Sequence, residues 1–412
     1  MTTIDTVPTP YPGTDSPEPA PEKDFIEDGA TRMPTTMTAP PFALDELLAD
    51  LRQLIECESP SSDLAAIARS ADVVAAIGRD RLGCEPERIT VDGVSHLRWR
   101  LGTRAEGRVL VLAHHDTVHP LGTLATTPYD ITDGVLRGPG CFDMLAGLVM
   151  ALHAIGATDV RDGVTLLVTG DEELGSGSSR ELIEAEARSS AAVLVLEASA
   201  DGGALKTGRK GASMYDVLVT GRAAHAGLEP DKGVNATVEL AHQVLAIADL
   251  GDPDLGTSVT PTVMQAGTTT NTVPATSILS VDVRAWSSAE QQRVDAAMRA
   301  LVPALPGARL AVRGGINRPP LEHKFAAPLY VRAIALAAHL GLPEITAAYV
   351  GGASDGNFTA GLGIPTLDGL GAVGGGAHAS TEHLFVDRLI DRTVLLHALI
   401  EDLLTNPLKE SA

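Results

Sequence analysis

The sequence predicts an α/β fold in which helices cover both faces of a sheet, joined by an inserted β-α-β-β-α-β unit. Three apolar runs, at residues 109–113, 164–168 and 192–196, have the length and composition of buried strands. An apolar helical run at 144–155 separates the first two, and such alternation is typical of an α/β sheet. After residue 211 the order of elements changes to β-α-β-β-α-β, the ferredoxin-like arrangement.

The N-terminal 40 residues differ in composition from the rest of the chain. They contain eight prolines, few large apolar residues and no lysine or arginine before Lys23. A signal peptide needs a basic start and an apolar centre, and neither is present. We therefore expect a disordered, proline-rich tail over residues 1–40.

The first predicted elements of the folded part are two helices, at 42–56 and 64–82, followed by an edge hairpin strand at 91–101. The three buried strands come next. After the second of them, Ser178 with Glu181 three residues later forms a capping-box pattern, which predicts that a helix starts there.

The inserted unit is predicted from four strand patterns and two helix patterns. These are strands at 213–220, 259–265, 278–285 and 309–313, with helices at 234–248 and from a Ser287–Glu290 cap to about 301. The α/β pattern then resumes, with a helix at 328–340, a strand near 364–367 and a C-terminal helix from Asp387. We therefore predict a tail (1–40), a first α/β segment (41–210), an inserted domain (211–316) and a second α/β segment (317–412).

Composition excludes several classes of function. Acidic residues outnumber basic ones by 53 to 31, giving a formal charge of −22, which argues against nucleic acids and anionic membranes as partners. The three cysteines, Cys57, Cys84 and Cys141, form no CxxC pair, so a disulfide framework or zinc knot is not expected. A reduced cytoplasmic location fits this usage, and no stretch has the length of a membrane span.

Side chains that can bind metals follow each of the three buried strands. His114-His115-Asp116 follows the first, Asp171-Glu172-Glu173 the second and Glu197 the third. Asp143 stands before the apolar helix, and His378 lies in a glycine-rich loop near the C-terminus. Histidine nitrogens and carboxylate oxygens are the zinc ligands used where a catalytic position stays open. One aspartate between two ions would make a two-metal hydrolytic site.

These motifs, in this order, resemble the M20 family of zinc exopeptidases, near its glutamate carboxypeptidase branch. The resemblance covers residues 42–405 and rests on His114-x-Asp116, Gly-Pro-Gly-x-x-Asp143, Asp171-Glu172-Glu173, Glu197 and His378-x-x-x-Glu382. It implies a phosphorylase/hydrolase-like zinc exopeptidase sheet with an inserted lid and dimerisation domain. It also implies a homodimer.

The resemblance assigns roles to individual residues. Asp143 would bridge two ions, with His114 and Glu197 completing one site and Glu173 and His378 the other. Glu172 would be the general base, and Asp116 would accept the second N–H of the His114 imidazole, fixing its tautomer. The two expected ions are Zn²⁺, although Co²⁺ or Mn²⁺ also suits these ligands.

Three more residues are assigned outside the metal cluster by the same resemblance. His225 would reach the active site of the partner subunit and polarise the scissile carbonyl, and Asn271 would contact the substrate. Arg318 would grip a substrate carboxylate through its guanidinium fork, the alternative being an arginine paired with an acidic group of the chain. One departure is Leu145, where the family pattern usually has lysine.

The sequence thus predicts a metal-dependent exopeptidase that cleaves an amide next to a free carboxylate in a small peptide or N-acyl amino acid. Two alternatives remain open. One is an N-acyl amino acid deacylase or biosynthetic deacetylase with the same site. The other is a non-catalytic metal-binding homologue, which the intact Glu172 disfavours.

Overall fold

The computed structural model describes residues 42–104 and 108–408. Its helices are α1 (Leu44–Glu56), α2 (Leu64–Leu82), α3 (Ala146–Ala157), α4 (Arg180–Arg188), α5 (Ala236–Ala248), α6 (Ser288–Arg299), α7 (His323–His339), α8 (Gly356–Gly361) and α9 (Leu389–Thr405). Its strands are β1 (Glu87–Val91), β2 (Val94–Arg100), β3 (Arg108–His114), β4 (Asp130–Thr132), β5 (Val135–Arg137), β6 (Val164–Thr169), β7 (Ser190–Val195), β8 (Leu205–Arg209), β9 (Gly211–Thr220), β10 (Ala224–His225), β11 (Ser258–Ala266), β12 (Thr272–Val273), β13 (Thr276–Ala285), β14 (Arg309–Arg318), β15 (Ala347–Val350), β16 (Thr366–Leu367), β17 (Gly374–Gly375) and β18 (His383–Phe385). The predicted tail over 1–40 lies outside the described residues.

The larger sheet has six strands in the order β1-β2-β6-β3-β7-β16. β3 pairs in parallel with both β6 and β7, and β16 pairs in parallel with β7. β2 joins β6 in the antiparallel sense, and β1 forms the edge. The carboxyl ends of β3, β6 and β7 therefore meet at one edge of the sheet.

Helices cover both faces of this sheet, as the sequence predicts. Val109 and Val111 of β3 lie in one hydrophobic cluster with side chains from α1, α2, α3, α7 and α9. Leu110 and Leu112 of the same strand lie in another, with Ile183 of α4 and side chains of α8. Because successive strand residues point to opposite faces, a strand buried on both faces has a continuous apolar sequence. The α/β fold class is confirmed.

The inserted unit contains a sheet of four antiparallel strands in the order β11-β13-β9-β14. Along the chain its elements follow the predicted β-α-β-β-α-β order, with the short β10 and β12 paired separately. α5 and α6 contribute to a separate hydrophobic cluster with Val217 and Val281 of the sheet. Ala212 pairs with Arg318, so this unit begins and ends at adjacent points of the structure. The segment boundaries at 210 and 316 stay a prediction.

The predicted capping box at Ser178 and Glu181 is wrong. α4 begins at Arg180, and its N-cap, Ser179, makes no capping hydrogen bond through its side chain. Instead the Asp171 carboxylate accepts the backbone N–H and the hydroxyl of Ser178, each at 2.7 Å, and the hydroxyl of Ser179 at 2.5 Å. Asp171, seven residues earlier, therefore accepts the Ser178 N–H that the pattern assigned to Glu181, and the Ser178 hydroxyl donates to Asp171 instead of accepting a helix N–H.

Two other element predictions need correction. The single strand predicted at 91–101 is a hairpin of β1 and β2, turning at Asp92 and Gly93, which both have positive φ, and β1 is its edge strand. The helix predicted from residue 328 begins at His323 and includes Pro328. Proline is favoured at the first helical position, which is why the pattern suggested a start there.

Among the described residues, no helix combines the length and apolar character that a membrane crossing requires.

Candidate metal centre

The topology brings the polar ends of the three central strands together. His114 is the last residue of β3, Glu197 follows β7 by two residues, and Glu172 and Glu173 begin a short 3₁₀ turn after β6. Because β3 lies between β6 and β7, these side chains meet at the carboxyl edge of the sheet. Ligand crevices of α/β sheets form at this edge.

Asp143 lies at the centre of the cluster, between the two predicted histidine ligands. Its Oδ1 is 3.7 Å from His114 Nε2, and its Oδ2 is 3.3 Å from His378 Nε2. Glu197 Oε1 is 3.6 Å from His114 Nε2, and Glu173 Oε2 is 3.2 Å from His378 Nε2. The structure thus brings all five predicted metal ligands together, as two histidine–carboxylate pairs on either side of one aspartate.

Two polar atoms of this cluster are buried without a hydrogen-bond partner, namely His114 Nε2 and Glu173 Oε1. Buried polar atoms are nearly always satisfied, and a divalent cation would satisfy both. The donors are imidazole nitrogen and carboxylate oxygen, which suit zinc and related ions. His114 forms compact groups of potential ligand atoms both with Asp143 and Glu173 and with Glu172 and Glu197. The residues present therefore fit the metals that the sequence predicts.

The acidic charge of the cluster raises the pKa of both histidines. Burial opposes protonation of His114, but Asp116, Asp143 and Glu197 outweigh it and hold the pKa well above its usual value. Asp143 and Glu173 raise the pKa of His378 to about 10. Positive charge is therefore strongly favoured here, and a cation would compete with these protons for the same carboxylates.

Asp116 is fully buried, but it contacts His114 differently from the prediction. The closest acceptor to His114 Nδ1 is the backbone carbonyl of Asp116, at 3.0 Å, whereas Oδ1 is 3.4 Å away. The carboxylate accepts the Ser61 hydroxyl at 2.7 Å and the backbone N–H groups of Glu172 and Glu173 at 3.2 and 3.1 Å. Asp116 therefore orients the imidazole mainly through its main chain and fixes the turn that carries both glutamates.

His115 is buried on the other side of β3 and takes no part in the cluster. Its Nδ1 lies 3.0 Å from Ser70 Oγ, and its Nε2 lies 3.0 Å from the carbonyl of Ser95. Burial lowers its pKa to about 4. Of the two adjacent histidines, the structure thus places only His114 among the candidate ligands.

The side chain of Glu172 is buried beside the cluster and paired with Arg318. Its Oε1 lies 3.0 Å from Arg318 Nη2. Burial, together with the nearby charges of Asp355 and Glu197, raises its pKa well above the usual value, although Arg318 opposes the shift.

In this structure the chain itself pairs the Arg318 guanidinium with acidic groups, and the predicted role of Arg318 in gripping a substrate carboxylate stays a prediction. Arg318 ends β14 and is 8% exposed. Besides Glu172, its Nη2 lies 3.1 Å from Asp355 Oδ1 and donates to Ser176 Oγ at 2.6 Å. A buried cation needs compensating anions, and the chain itself supplies them, as in the alternative left open above. Neither Asp355 nor Ser176 carries a sequence signal for this contact.

His225 and Asn271 lie together but away from the metal cluster. Both are exposed, and the N–H of Ala226 donates to the Asn271 carbonyl at 2.9 Å. His225 Nδ1 accepts the N–H groups of Gly227 and Leu228 at 3.1 Å each. Among the contacts of the described residues, neither side chain touches a predicted ligand, so their predicted roles stay a prediction.

Two further residues next to the cluster were not predicted as site residues. Arg209 is buried, forms a bidentate pair with Asp368 at 2.8 and 3.1 Å, and lies 3.4 Å from Glu197 Oε2. Glu382, seen in the sequence only as part of a motif, accepts backbone N–H groups around Asp143. Leu145, at the position of the usual family lysine, is buried in the main core.

The chain is similar to known proteins of one family. A sequence model of Peptidase family M20/M25/M40 matches residues 110–402. The chain is 30% identical to carboxypeptidase G2 from Pseudomonas sp. over 377 residues, covering 87% of this chain and 89% of that protein. It is 27% identical to a succinyl-diaminopimelate desuccinylase from Rhodospirillum centenum over 383 residues, covering 86% and 96%.

Solved structures show the same fold. An M20 family metallo-carboxypeptidase from Sulfolobus solfataricus has a TM-score of 0.68 at 16% identity, covering 87% of this chain and 99% of that one. The aminopeptidase PepT from Bacillus cereus has a TM-score of 0.67 at 21% identity, covering 88% and 99%. From the family match and the 30% identical relative, this chain belongs to peptidase family M20/M25/M40.

Proposed function

We propose that this protein is a two-metal amide hydrolase of the carboxypeptidase type, which cleaves an amide bond next to a free carboxylate. The observation that carries the proposal is the arrangement around Asp143, whose two oxygens each face a histidine–carboxylate pair. The unsatisfied His114 Nε2 and Glu173 Oε1 lie within that arrangement.

The proposal assigns ligands as the sequence suggests. Asp143 would be shared, His114 and Glu197 would hold one divalent cation, and Glu173 and His378 would hold the other. When bound, Zn²⁺, Co²⁺ or Mn²⁺ supplies Lewis acidity toward water and the scissile carbonyl. Asp116 keeps the proton of His114 on Nδ1, so that Nε2 stays available.

Glu172 is the proposed general base. It is next in sequence to ligand Glu173, and burial gives its carboxylate a raised pKa, which makes it a better proton acceptor. It takes a proton from the attacking water and passes it to the leaving nitrogen. Arg318 holds Glu172 Oε1 at 3.0 Å and so limits the orientations of the base.

The substrate class rests on the relatives. The similarity to a carboxypeptidase supports a substrate with a free carboxylate next to the cleaved amide. A C-terminal glutamate is the first residue to try, because the sequence motifs resemble the glutamate carboxypeptidase branch. The desuccinylase similarity supports the second candidate, an N-acyl amino acid or diamino acid deacylase with the same catalytic residues. The non-catalytic alternative is disfavoured because Glu172, the proposed base, is present and is buried beside the proposed ligands.

The test combines metal analysis with a substrate panel and the Glu172→Ala variant. We expect about two ions per chain, and cleavage of dipeptides or N-acyl amino acids with a C-terminal glutamate but not of their C-terminal amides. Glu172→Ala should keep the metals and lose turnover by a factor of about 10²–10⁴, as for a lost general base.

Four results would contradict parts of this proposal. Equal cleavage of acids and amides would exclude the carboxypeptidase type, and preference for succinylated diamino acids would favour the deacylase. A Glu172→Ala variant that loses its metals, or that keeps the wild-type rate, would remove Glu172 from the role of base.

A further inference from the structure

The carboxylate of Glu382 is buried, with the residue 1% exposed, and has four donors around it. Its Oε1 accepts the backbone N–H groups of Phe142 and Asp143, each at 2.9 Å. Its Oε2 accepts the N–H of Gly140 at 3.0 Å and lies 2.6 Å from His119 Nε2. Three of these four donors are backbone N–H groups of the segment that contains Asp143.

That segment satisfies only part of its own backbone. Gly140 has a positive φ of 71°, and Asp143 has φ −117° and ψ 96°, outside the helical region. The turn Cys141–Leu145 is closed by a hydrogen bond from the Leu145 N–H to the Gly140 carbonyl at 3.0 Å, whereas the N–H groups of Gly140, Phe142 and Asp143 find their acceptor in Glu382. Buried N–H groups without partners are costly. Glu382 supplies the acceptors that regular secondary structure would otherwise provide.

Glu382 is also tied to the loop of the second histidine ligand. It lies four residues after His378, and two turn hydrogen bonds link them, from Ala379 N–H to the Gly376 carbonyl at 3.0 Å and from Glu382 N–H to the Ala379 carbonyl at 3.1 Å. One carboxylate therefore joins the Asp143 segment, the His378 loop and, through His119, the loop that follows Asp116.

We propose that Glu382 is a positioning residue that sets the separation of Asp143 from His378 and thereby the affinity for the cation between them. His119 in turn holds the Glu382 carboxylate in place. This inference rests on the proposed function, because it takes Asp143 and His378 as ligands. Carboxylates that hydrogen-bond the groups around metal ligands commonly change metal affinity 10- to 100-fold when replaced.

The inserted unit, which contains α5, offers a matched control. Glu239 of α5 is fully buried, and its carboxylate accepts the backbone N–H groups of Ala304 and Leu305 at 3.0 and 2.6 Å. Glu239→Gln therefore removes the same charge from a similar backbone contact, but far from the ligands in the fold. General loss of stability should affect both variants, whereas loss of metal affinity should affect only one.

The experiment is a titration of chelator-treated full-length protein with Zn²⁺ or Co²⁺, with thermal unfolding measured in parallel. In Glu382→Gln the amide NH₂ faces backbone donors, so we expect the affinity for one cation to fall by about 10- to 100-fold. Glu239→Gln should leave the cation affinity near that of wild type, well short of the roughly 10-fold loss expected when a carboxylate that supports metal ligands is replaced. His119→Gln, which leaves the three backbone bonds in place, should lose less affinity than Glu382→Gln.

Wild-type affinity for both cations in Glu382→Gln would overturn the inference while leaving the proposed function standing. Equal losses in Glu382→Gln and Glu239→Gln would also overturn it, since the effect would then be general destabilisation. A wild-type protein that binds fewer than two cations would instead contradict the proposed function, and this inference with it. If Glu382→Gln does not fold, His119→Gln decides: it must weaken cation affinity without lowering the unfolding temperature.

Discussion

His114 and His115 show how strongly the environment of a single residue decides its chemistry. His114 is the last residue of β3, His115 follows it directly, and both are buried. His114 faces three carboxylates, which keep its pKa well above the usual value. His115 faces neutral groups, and burial lowers its pKa to about 4. Because the side chains of successive residues in an extended chain point to opposite sides, His114 is a candidate ligand and His115 is a structural residue.

The low pKa of His115 predicts a pH dependence of stability. The unfolded imidazole titrates near pH 6.5, so below that pH the unfolded chain binds a proton that the folded chain does not. The free energy of unfolding should therefore fall with decreasing pH, by about 2 kcal/mol between pH 7.5 and 5 from this residue alone. His115→Gln should remove this part of the slope.

The measurement is denaturant unfolding of wild type and His115→Gln at several pH values, both with excess chelator so that metal release does not contribute. Titrating groups away from His115 are common to the two proteins and cancel in the difference, whereas Asp116, His96 and His114 act on His115 and leave a residual slope. If the two stabilities change in parallel with pH, the buried neutral state of His115 is wrong.

At the scale of elements, the turn after β6 depends on Asp171. The Asp171 carboxylate accepts three hydrogen bonds from Ser178 and Ser179 and so closes the loop that carries Glu172 and Glu173 onto the start of α4. Asp171 is 4% exposed, so its removal leaves donors in a largely buried place. Charge-assisted hydrogen bonds of this kind contribute about 1.5–3 kcal/mol each before relaxation.

We therefore predict that Asp171→Ala lowers the free energy of unfolding by about 3 kcal/mol and weakens cation binding, because the loop carries a proposed ligand. Glu181→Ala is the control: Glu181 is exposed, and its replacement should change stability by less than about 0.5 kcal/mol. Denaturant unfolding and metal titration of the two variants test this. A larger loss in Glu181→Ala than in Asp171→Ala would restore the capping-box interpretation.

The sequence predicts those parts of the fold and site that depend on local pattern. The apolar runs locate β3, β6 and β7, and side chains directly after them must meet if the strands are parallel neighbours. The pairing of Arg318 with Glu172 and Asp355 could not be predicted, since these residues lie 146 and 37 positions from it. The contact of Asp171 with Ser178 was missed because the capping-box pattern considers only residues three positions apart. Asp171, seven positions before Ser178, comes within hydrogen-bonding distance only once the loop between them has folded.

At the scale of the whole molecule, the property to test is the oligomeric state. The chain carries a formal charge of −22, which keeps separate copies apart unless an apolar surface draws them together. Strand β11 is an edge of the four-stranded sheet and exposes Val263 and Met264, which are 52% and 58% accessible. An exposed apolar edge strand readily pairs with another chain, which supports the predicted homodimer through the inserted unit.

We predict that His225 acts on the active site of the partner subunit. It is exposed and makes no contact with the ligands of its own chain among the described residues. Glu172→Ala and His225→Ala should each be inactive alone. When co-expressed in equal amounts, half of the dimers would be mixed, and one site in each mixed dimer would have both residues, giving about a quarter of wild-type activity for a twofold assembly.

Two controls make this result specific. Glu172→Ala co-expressed with the Glu172→Ala/His225→Ala double variant should regain nothing, because no site then holds an intact base. Val263→Lys places a charge on the edge strand, which should shift the protein toward monomer in analytical ultracentrifugation and abolish the recovery. If the co-expressed single variants stay inactive and wild type sediments as a monomer, the assembly and the role of His225 are both wrong. If wild type is a dimer but no activity returns, His225 does not act across the interface, and only the dimer prediction survives.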